Sequence, residues 1–478
     1  MTDTVPAEAG TRTHTPLDDL RRRVSGRLHV PGDDSYVPAS LAWVVNVPQH
    51  PLAVLEVRDA DDVIAAVRWA VDHDVRVTAQ PTGHGANGTL EGVLLLRTRA
   101  LGGIEVDVQR RTATVGAGVK AGELAAALDG TGLTFLAGSN PDPTVVGMTI
   151  TGGISWFGRA YGLGSDSIVS VELVDGLGRL RRLSATEDPE LFWAVRGGGG
   201  DFGVILRMEV ALHPAATIHG GQLMWPVERM REVLTTFRDV TESAPDALTL
   251  WFQAITFPPF PEVPEPLRGR SFTSVAVAHL GTREEAEQLL APFRAVDGLV
   301  MDTLGDVPIG QLGTIANEPT DPMPGLQRSR LLDRLDDTTI EALTAVAGPG
   351  SGSPLSVVQV RHLGGAFTRT PEGAGSHGAV REPYSLFAVG VPAVPELVPV
   401  IQTVLGRISA AVAGATSGRT LLNFLEAGED PSLWWDAATR ARLGRAKELA
   451  DPLRTIVSNR PTLVDDRPVR TTPSPVRC

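Results

Sequence analysis

Residues 75–97, VRVTAQPTGHGANGTLEGVLLLR, decide the fold of this 478-residue chain. Within them, residues 83–88 (GHGANG) satisfy the G-x-G-x-x-G pattern of a Rossmann dinucleotide site. That site needs a helix directly after the last glycine, but the apolar run at 92–97 is too short for a helix. The stretch therefore predicts strand, glycine loop, strand, and the N–H groups of such a loop can still bind a phosphate.

The bulk composition is that of a soluble globular protein, with 42% apolar and 21% charged residues. A chain of 478 residues exceeds what one core normally supports, so two domains are expected. A net charge of −13 disfavours nucleic acid and anionic membranes as partners. The single cysteine, Cys478, allows neither an intrachain disulfide nor a thiolate metal site.

Targeting signals are not evident in the sequence. The first residues, MTDTVP, do not read as a signal peptide, and no apolar run approaches the length of a membrane span. We therefore expect a cytoplasmic protein. Scattered histidines without metal-ligand spacing and the lack of a G-x-S-x-G elbow argue against a metal enzyme and a serine hydrolase.

The pattern changes along the chain at about residue 215. Residues 1–18 are polar and predict a flexible tail. Helix periodicity at 61–71 is followed by strand-like and glycine-rich segments, and the long stretch 138–164 is expected to be irregular and functional. Beyond 215, strand-like and helix-like runs alternate, which predicts a second, α+β domain with an antiparallel sheet.

Five glycine-rich segments in one order resemble the berberine-bridge-enzyme-like branch of the vanillyl-alcohol-oxidase / p-cresol-methylhydroxylase flavoprotein superfamily. They are TGHG (82–85), RTATVGAG (111–118), GMTITGG (147–153), RAYGL (159–163) and DPELFWAVRGGGGDFGV (188–204). The resemblance is dense over residues 40–214 and thin afterwards.

The resemblance implies an α+β fold. A two-subdomain FAD-binding domain of the vanillyl-alcohol-oxidase (PCMH) type would occupy 19–214. A substrate domain with an antiparallel sheet covered by helices would occupy 215–423, and residues 424–478 would return to the FAD domain.

In that family the loop histidine, here His84, carries FAD covalently. The alternative for His84 is a polar loop residue that only hydrogen-bonds the backbone. Many relatives add a second bond from a cysteine, and Asn140 stands at that position here, so the resemblance implies a single covalent link.

The other residues that the resemblance assigns to FAD lie in the same segments, and for each glycine a tight turn is the alternative. The full expected set is Gln80, Thr82, Gly83, His84, Gly85, Ala86, Asn87, Gly138, Ser139, Gly147, Thr149, Gly152, Gly153, Asp201, Gly203 and Val204.

The resemblance does not identify the catalytic base. Many relatives use the tyrosine of a Tyr-x-Asn segment. The nearest counterpart, residues 421–423, has leucine in its place. Tyr161, in a matched segment, is the first candidate and Tyr384 the second; packing with a satisfied hydroxyl is the alternative for both. His362 and Asn423 are weaker candidates.

The family implies oxidation of a small alcohol, amine or sugar by hydride transfer to flavin N5, with reoxidation by oxygen to hydrogen peroxide. The sequence leaves two alternatives open. One is a flavin dehydrogenase that uses another acceptor, and the other is a catalytically silent flavin-binding protein.

Overall fold

The computed structural model describes residues 16–426 and 428–461. Helix α1 begins at Pro16, so the last three residues of the predicted tail are helical, while residues 1–15 lie outside the described residues. Residues 462–478, the end of the predicted C-terminal segment, also lie outside them. No helix in the described ranges is long and apolar enough to cross a bilayer.

The first layer is a mixed four-stranded sheet with strand order β1-β2-β4-β3, in which β2 and β3 both run parallel to β4. A parallel pair needs a long crossover, and here the glycine loop itself, residues 80–92, makes it. This confirms the predicted strand, loop, strand. The elements are α1 (Pro16–Arg23), β1 (Arg27–His29), α2 (Tyr36–Ser40), β2 (Ala53–Glu56), α3 (Ala60–His73), β3 (Arg76–Ala79) and β4 (Val93–Arg97).

Helix α3 confirms the periodicity at 61–71. Its N-cap Asp59 accepts a hydrogen bond from the Asp62 backbone N–H, which satisfies one of the free donors at the start of the helix. Val63, Val67 and Ala70 are fully buried on one face.

The second layer is an antiparallel five-stranded sheet of order β5-β6-β10-β8-β9. The stretch 138–164, expected to be irregular, contains two short helices. The elements are β5 (Ile104–Asp107), β6 (Thr112–Gly116), α4 (Ala121–Leu128), β7 (Leu133–Thr134), α5 (Val145–Ile150), α6 (Gly158–Tyr161), β8 (Ile168–Val174), β9 (Leu180–Ser184), α7 (Pro189–Gly198), β10 (Val204–Ala211) and β11 (His213–Pro214).

The third layer is an eight-stranded sheet of order β15-β12-β14-β13-β18-β19-β17, with β16 also paired to β12. All of its pairs are antiparallel, as predicted. The elements are β12 (Ile218–Pro226), α8 (Met230–Thr241), β13 (Leu248–Thr256), β14 (Ser271–Leu280), α9 (Arg283–Arg294), β15 (Met301–Asp302), β16 (Gly305–Asp306), β17 (Leu326–Leu332), α10 (Asp337–Ala347), β18 (Val357–His362), β19 (Tyr384–Gly390), α11 (Leu397–Ala411) and α12 (Ala437–Ala450).

The two faces of this sheet pack in different cores. Leu250, Phe252 and Val360 face helices α8 to α11 in one core, whereas Trp251 and Leu331, on the opposite side, belong to the core of the first two layers. The antiparallel sheet is therefore covered by helices on one side and by the rest of the chain on the other.

Candidate functional site

The loop after β3 holds His84 in a defined orientation. Its imidazole stacks on Trp43, with ring centroids 4.1 Å apart and planes inclined by 20°. Nδ1 lies 3.0 Å from the Thr82 hydroxyl, and the Ala86 N–H donates to the Gly83 carbonyl at 3.1 Å, which closes the turn. Gly83 has φ +84°, and a Cβ there would lie 2.9 Å from Ala42 Cα, so only glycine fits.

The electrostatics of the loop keep His84 neutral near pH 7. Burial lowers its pKa to about 4; Asp142 acts in the opposite direction, and Lys120 adds to the lowering. Asp142 Oδ2 lies 3.6 Å from Nε2, and its other oxygen pairs with Lys120. Nε2 is buried and has no hydrogen-bond partner among the described residues. The imidazole therefore presents one uncommitted ring nitrogen.

The C-terminal segment packs against this loop. Val77 N–H donates to Thr455, and the Val457 N–H donates back to Val77, so residues 455–457 lie alongside β3. Asn459 then accepts a hydrogen bond from the Gln80 side chain at 3.2 Å and another, at its carbonyl, from the Asn87 side chain at 3.0 Å.

Arg460 extends this contact to the end of α5 and the turn after it, residues 147–153, which we call the 147–153 loop. Its guanidinium donates to the carbonyls of Gly85 and Asn423, each at 3.3 Å. The Asn423 side chain in turn accepts from the Gly153 N–H at 3.0 Å and donates to the Thr151 hydroxyl at 2.7 Å. Segments far apart in sequence thus meet at one place: the loop after β3 that carries His84, the 147–153 loop, and residues 423 and 460.

The remaining expected residues of the 138–153 stretch lie in the same region. Gly147 N–H donates to Thr144, the N-cap of α5, and Thr149 is buried in that helix. Gly152 and Gly153 have positive φ, +114° and +76°. Ser139 is buried, and Met148 Sδ lies beside Gly138.

Several backbone N–H groups of the glycine-rich loops are free to bind a ligand such as FAD. In the described chain, the N–H groups of Gly83, His84, Gly85, Gly138 and Ser139 donate no hydrogen bond to another residue. Buried or half-buried amides left unpaired in this way are costly unless a ligand or water satisfies them. Two loops with free amides and a histidine with a free nitrogen fit a phosphate-bearing cofactor with a reactive ring.

The last three expected residues, Asp201, Gly203 and Val204, lie in the loop between α7 and β10 and at the start of β10. The Asp201 carbonyl accepts a hydrogen bond from Lys447 Nζ at 2.6 Å. A Cβ at Gly203 would lie 2.6 Å from the Val174 carbonyl oxygen, so packing within the protein alone requires that glycine. Val204 begins β10 opposite Val174.

The structure does not bring the two candidate tyrosines to Asn423. The Tyr161 hydroxyl donates to the Pro214 carbonyl at 2.7 Å, and its ring stacks on His213. Tyr384 lies in the helix-covered core, where its hydroxyl is 2.7 Å from the Thr241 hydroxyl. Burial raises the pKa of both tyrosines, and both hydroxyls are already paired. His362 also lies beside Tyr384, and burial lowers its pKa to about 2.

The opposite side of the eight-stranded sheet, which we call the inner face, carries Trp251, Gln253, Gln359, Arg361 and Phe387. Trp251 stacks on Trp156 of the glycine-rich stretch, with centroids 3.8 Å apart, and Phe387 contacts Phe424, the residue after Asn423. The inner face therefore borders the loops around His84 and Asn423.

Several residues of this site were not found from the sequence. Trp43, Asp142, Arg460 and Arg361 join it through contacts between distant segments, and no local pattern marks them. Glu426 is a partial exception, because it lies three residues after Asn423. Burial raises the pKa of its carboxyl, which pairs with the side chain of Gln327. In the described residues, no group of three or more His, Cys, Asp or Glu side chains could hold a metal ion.

Comparison with known proteins supports the cofactor. Residues 51–184 match the FAD binding domain family. The chain is 30% identical over 298 residues to (R)-6-hydroxynicotine oxidase of Paenarthrobacter nicotinovorans, an alignment that covers 61% of each chain. It is 26% identical over 228 residues to an FAD-linked oxidoreductase of Dictyostelium discoideum, covering 48% of this chain and 50% of the relative. The alignments thus span less than two thirds of these relatives.

Solved structures show the same fold over nearly the whole chain. BBE-like 1 of Physcomitrella patens superposes with a TM-score of 0.82 at 18% identity, covering 95% of this chain and 100% of that one. 6-Hydroxy-D-nicotine oxidase of Arthrobacter nicotinovorans superposes with a TM-score of 0.78 at 24% identity, covering 90% and 96%. The expected fold class is confirmed.

Proposed function

We propose that this chain is a berberine-bridge-enzyme-like flavoprotein of the vanillyl-alcohol-oxidase superfamily, and that it is an oxidase of a small organic molecule with one FAD tethered through His84. The support is that relatives over part of the chain are named FAD-linked oxidoreductases and oxidases. The substrate, the tether and the electron acceptor are the proposal.

The observation that carries the proposal is that His84 is neutral and has one free ring nitrogen. A covalent bond to the flavin requires an unprotonated ring nitrogen, and the pKa of about 4 leaves the imidazole neutral. Thr82 pairs with Nδ1, which leaves Nε2 as the uncommitted nitrogen. A second tether is absent because Asn140 has no thiol; its amide side chain instead donates to the Pro319 carbonyl at 2.8 Å.

FAD would lie between the free amides of residues 83–85 and 138–139, next to the Asn423-linked loop at 147–153. The chemistry that FAD supplies when bound is acceptance of a hydride at flavin N5 and reoxidation by oxygen, which yields hydrogen peroxide. Asn423 and Arg460 hold the two glycine-rich segments together. The aromatic side chains of the inner face would exclude water from the substrate.

Proton removal from the substrate needs an acceptor, and we assign it to Glu426. The hydroxyls of Tyr161 and Tyr384 are both engaged, as donor to Pro214 and partner of Thr241 respectively. Glu426 follows Asn423 closely and pairs with Gln327 on β17, and burial raises the pKa of its carboxyl, which makes the carboxylate a stronger proton acceptor. Glu426→Gln should remove the acidic limb of the pH profile of kcat while leaving flavin content unchanged.

Anaerobic mixing of the purified protein with a panel of alcohols, sugars and amines tests the proposal. The panel includes 6-hydroxynicotine, because a relative is named for its oxidation. Bleaching of the flavin band by a panel member, followed by peroxide formation on admitting air, is the expected result. Bleaching with slow reoxidation in air would indicate a dehydrogenase. A flavin reducible by dithionite but by none of the panel would favour a catalytically silent protein.

A further inference from the structure

The inner face carries a buried arginine, Arg361, whose guanidinium makes fewer hydrogen bonds than those of Arg159 and Arg442. Arg361, on β18, is 5% exposed and lies between aromatic rings, 4.0 Å from the centroid of Trp251 and 4.9 Å from that of Phe424. Its Nε donates to Gln359 Oε1 at 2.5 Å. Within the described chain, its Nη1 and Nη2 donate no hydrogen bond, and no carboxylate lies within 4.0 Å.

Two other arginines show how this protein bonds a guanidinium that serves structure alone. Arg159, equally buried, donates to the carbonyls of Leu248 and Leu363 and also to two carbonyls of the 244–245 turn. Arg442 stacks on Trp193 at 3.7 Å and makes a two-pronged pair with Glu190. Arg361 has the ring contacts of Arg442 without its carboxylate, so the end of its guanidinium fork is unpaired.

The side chains around Arg361 are also incompletely bonded. Ser274, Gln253 and Gln359 lie opposite one another on three adjacent strands. The Ser274 hydroxyl and the Gln253 amide nitrogen are buried and have no partner among the described residues, and the same holds for the hydroxyl of Ser385, directly opposite Arg361. Such a row of unpaired polar groups fits the lining of a polar binding site, where a ligand would satisfy them.

This lining borders the proposed flavin site. Trp251, which stacks on Arg361, also stacks on Trp156, and Phe424 follows the Asn423 that clamps the 147–153 loop. Burial lowers the pKa of Arg361 to about 10, so it stays charged at neutral pH. A buried charge without a counter-ion is expensive, and Glu318, whose charge raises that pKa, makes no ion pair with it.

We propose that Arg361 binds a carboxylate of the substrate, with Trp251 and Phe424 packing against the apolar or aromatic body that carries it. Nη1 and Nη2 form a planar fork that matches two carboxylate oxygens. The inference rests on the proposed oxidase function and specifies its substrate class: a small aromatic or apolar carboxylic acid with an oxidisable alcohol or amine group.

Benzoate and its neutral isostere benzamide are the probes. Binding to the flavin-loaded protein is measured by the flavin difference spectrum and independently by calorimetry. Benzoate should bind at least about tenfold more tightly than benzamide, because hydrogen bonds to a charged partner are the stronger ones. Arg361→Gln should weaken benzoate binding about 10- to 100-fold and abolish this preference, and Arg361→Lys should fall between.

Arg442→Gln is the matched control, since it removes the same charge and the same kind of ring contact at the surface; benzoate binding should be unchanged. Equal binding of benzoate and benzamide to the unmodified protein would overturn the inference even if Arg361→Gln does not fold. Unchanged benzoate binding in a folded Arg361→Gln would also overturn it. A protein that binds no flavin would instead refute the proposed function, and calorimetry with benzoate would still test Arg361.

Discussion

Lys447 is the residue whose removal we expect to disturb both stability and the flavin site. It is 5% exposed, and its Nζ donates to Asp451 Oδ2 at 2.7 Å and to the carbonyls of Asp201 and Ile456. Asp451 is completely buried and also accepts the N–H groups of Thr455 and Ile456. This cluster fixes the C-terminal segment beside β3 and the loop at 201–204.

Lys447→Met leaves the Asp451 carboxylate buried without its counter-ion. Breaking a buried pair from one side costs about 3–5 kcal/mol. At about 1.4 kcal/mol per factor of ten, opening of the C-terminal segment becomes about two to four orders of magnitude more frequent. Lys447→Met/Asp451→Asn, which buries no unpaired charge, should recover part of this loss.

Hydrogen exchange at the Val457 amide reports this opening directly, because that N–H donates to the Val77 carbonyl at 2.8 Å. Exchange should accelerate by the factor given above in Lys447→Met. Arg445→Met removes a charge from the exposed side of the same helix and should change stability by less than about 0.5 kcal/mol. Exchange at Val457 in Lys447→Met that matches the Arg445→Met control would refute the reasoning.

Three further predictions concern residues singled out from the sequence. Tyr384→Phe loses only the contact with Thr241, so unfolding free energy should fall by about 1 kcal/mol while kcat is unchanged in steady-state assays. The pKa of His362 is lowered in the folded protein, so the unfolded chain binds the proton first and folding becomes less favourable as pH falls below about 6.5. His362→Gln should therefore reduce the slope of unfolding free energy against pH between pH 6 and 4, by up to about 1.4 kcal/mol per pH unit in urea titrations. Asn423→Ala releases the Gly153 N–H, and flavin fluorescence should report weaker flavin binding once the tether is removed by His84→Ala.

Each of these three has a clear contrary outcome. A loss of kcat of tenfold or more in a stable Tyr384→Phe would identify that tyrosine as a catalytic residue. An unchanged slope in His362→Gln would mean that the imidazole is protonated in the folded protein. Equal flavin affinity of the His84→Ala protein with and without Asn423→Ala would separate Asn423 from the cofactor site.

Secondary-structure elements were predicted well from the sequence where one face is buried and the other is exposed to solvent. Helix α3 falls close to its expected bounds, because its periodicity and its N-cap are local signals. Strand β12 was missed: it is buried on both faces along most of its length, so its sequence, IHGGQLMWP, does not alternate. Two glycines within it also weaken the strand pattern.

The site was predictable only in part, for a similar reason. Glycine loops and His84 are local features, and the expected segments around residues 82–87 and 147–153 do lie together. The face of a strand is not local: Tyr384 and Ser385 are neighbours in sequence, yet the pleat turns Tyr384 to the helix-covered core and Ser385 to the inner face beside Arg361. The contacts of Asn423 with residues some 270 positions away have no sequence signature.

The intact mass of the denatured protein tests the central claim most directly. A chain tethered through His84 should be heavier than its sequence by the mass of one FAD less the hydrogens lost on bond formation, and digestion should place the flavin on the His84 peptide. His84→Ala should have the mass of its sequence alone while still binding FAD without a covalent bond before denaturation. An unmodified wild-type mass, with all of the FAD released on denaturation, would contradict the account.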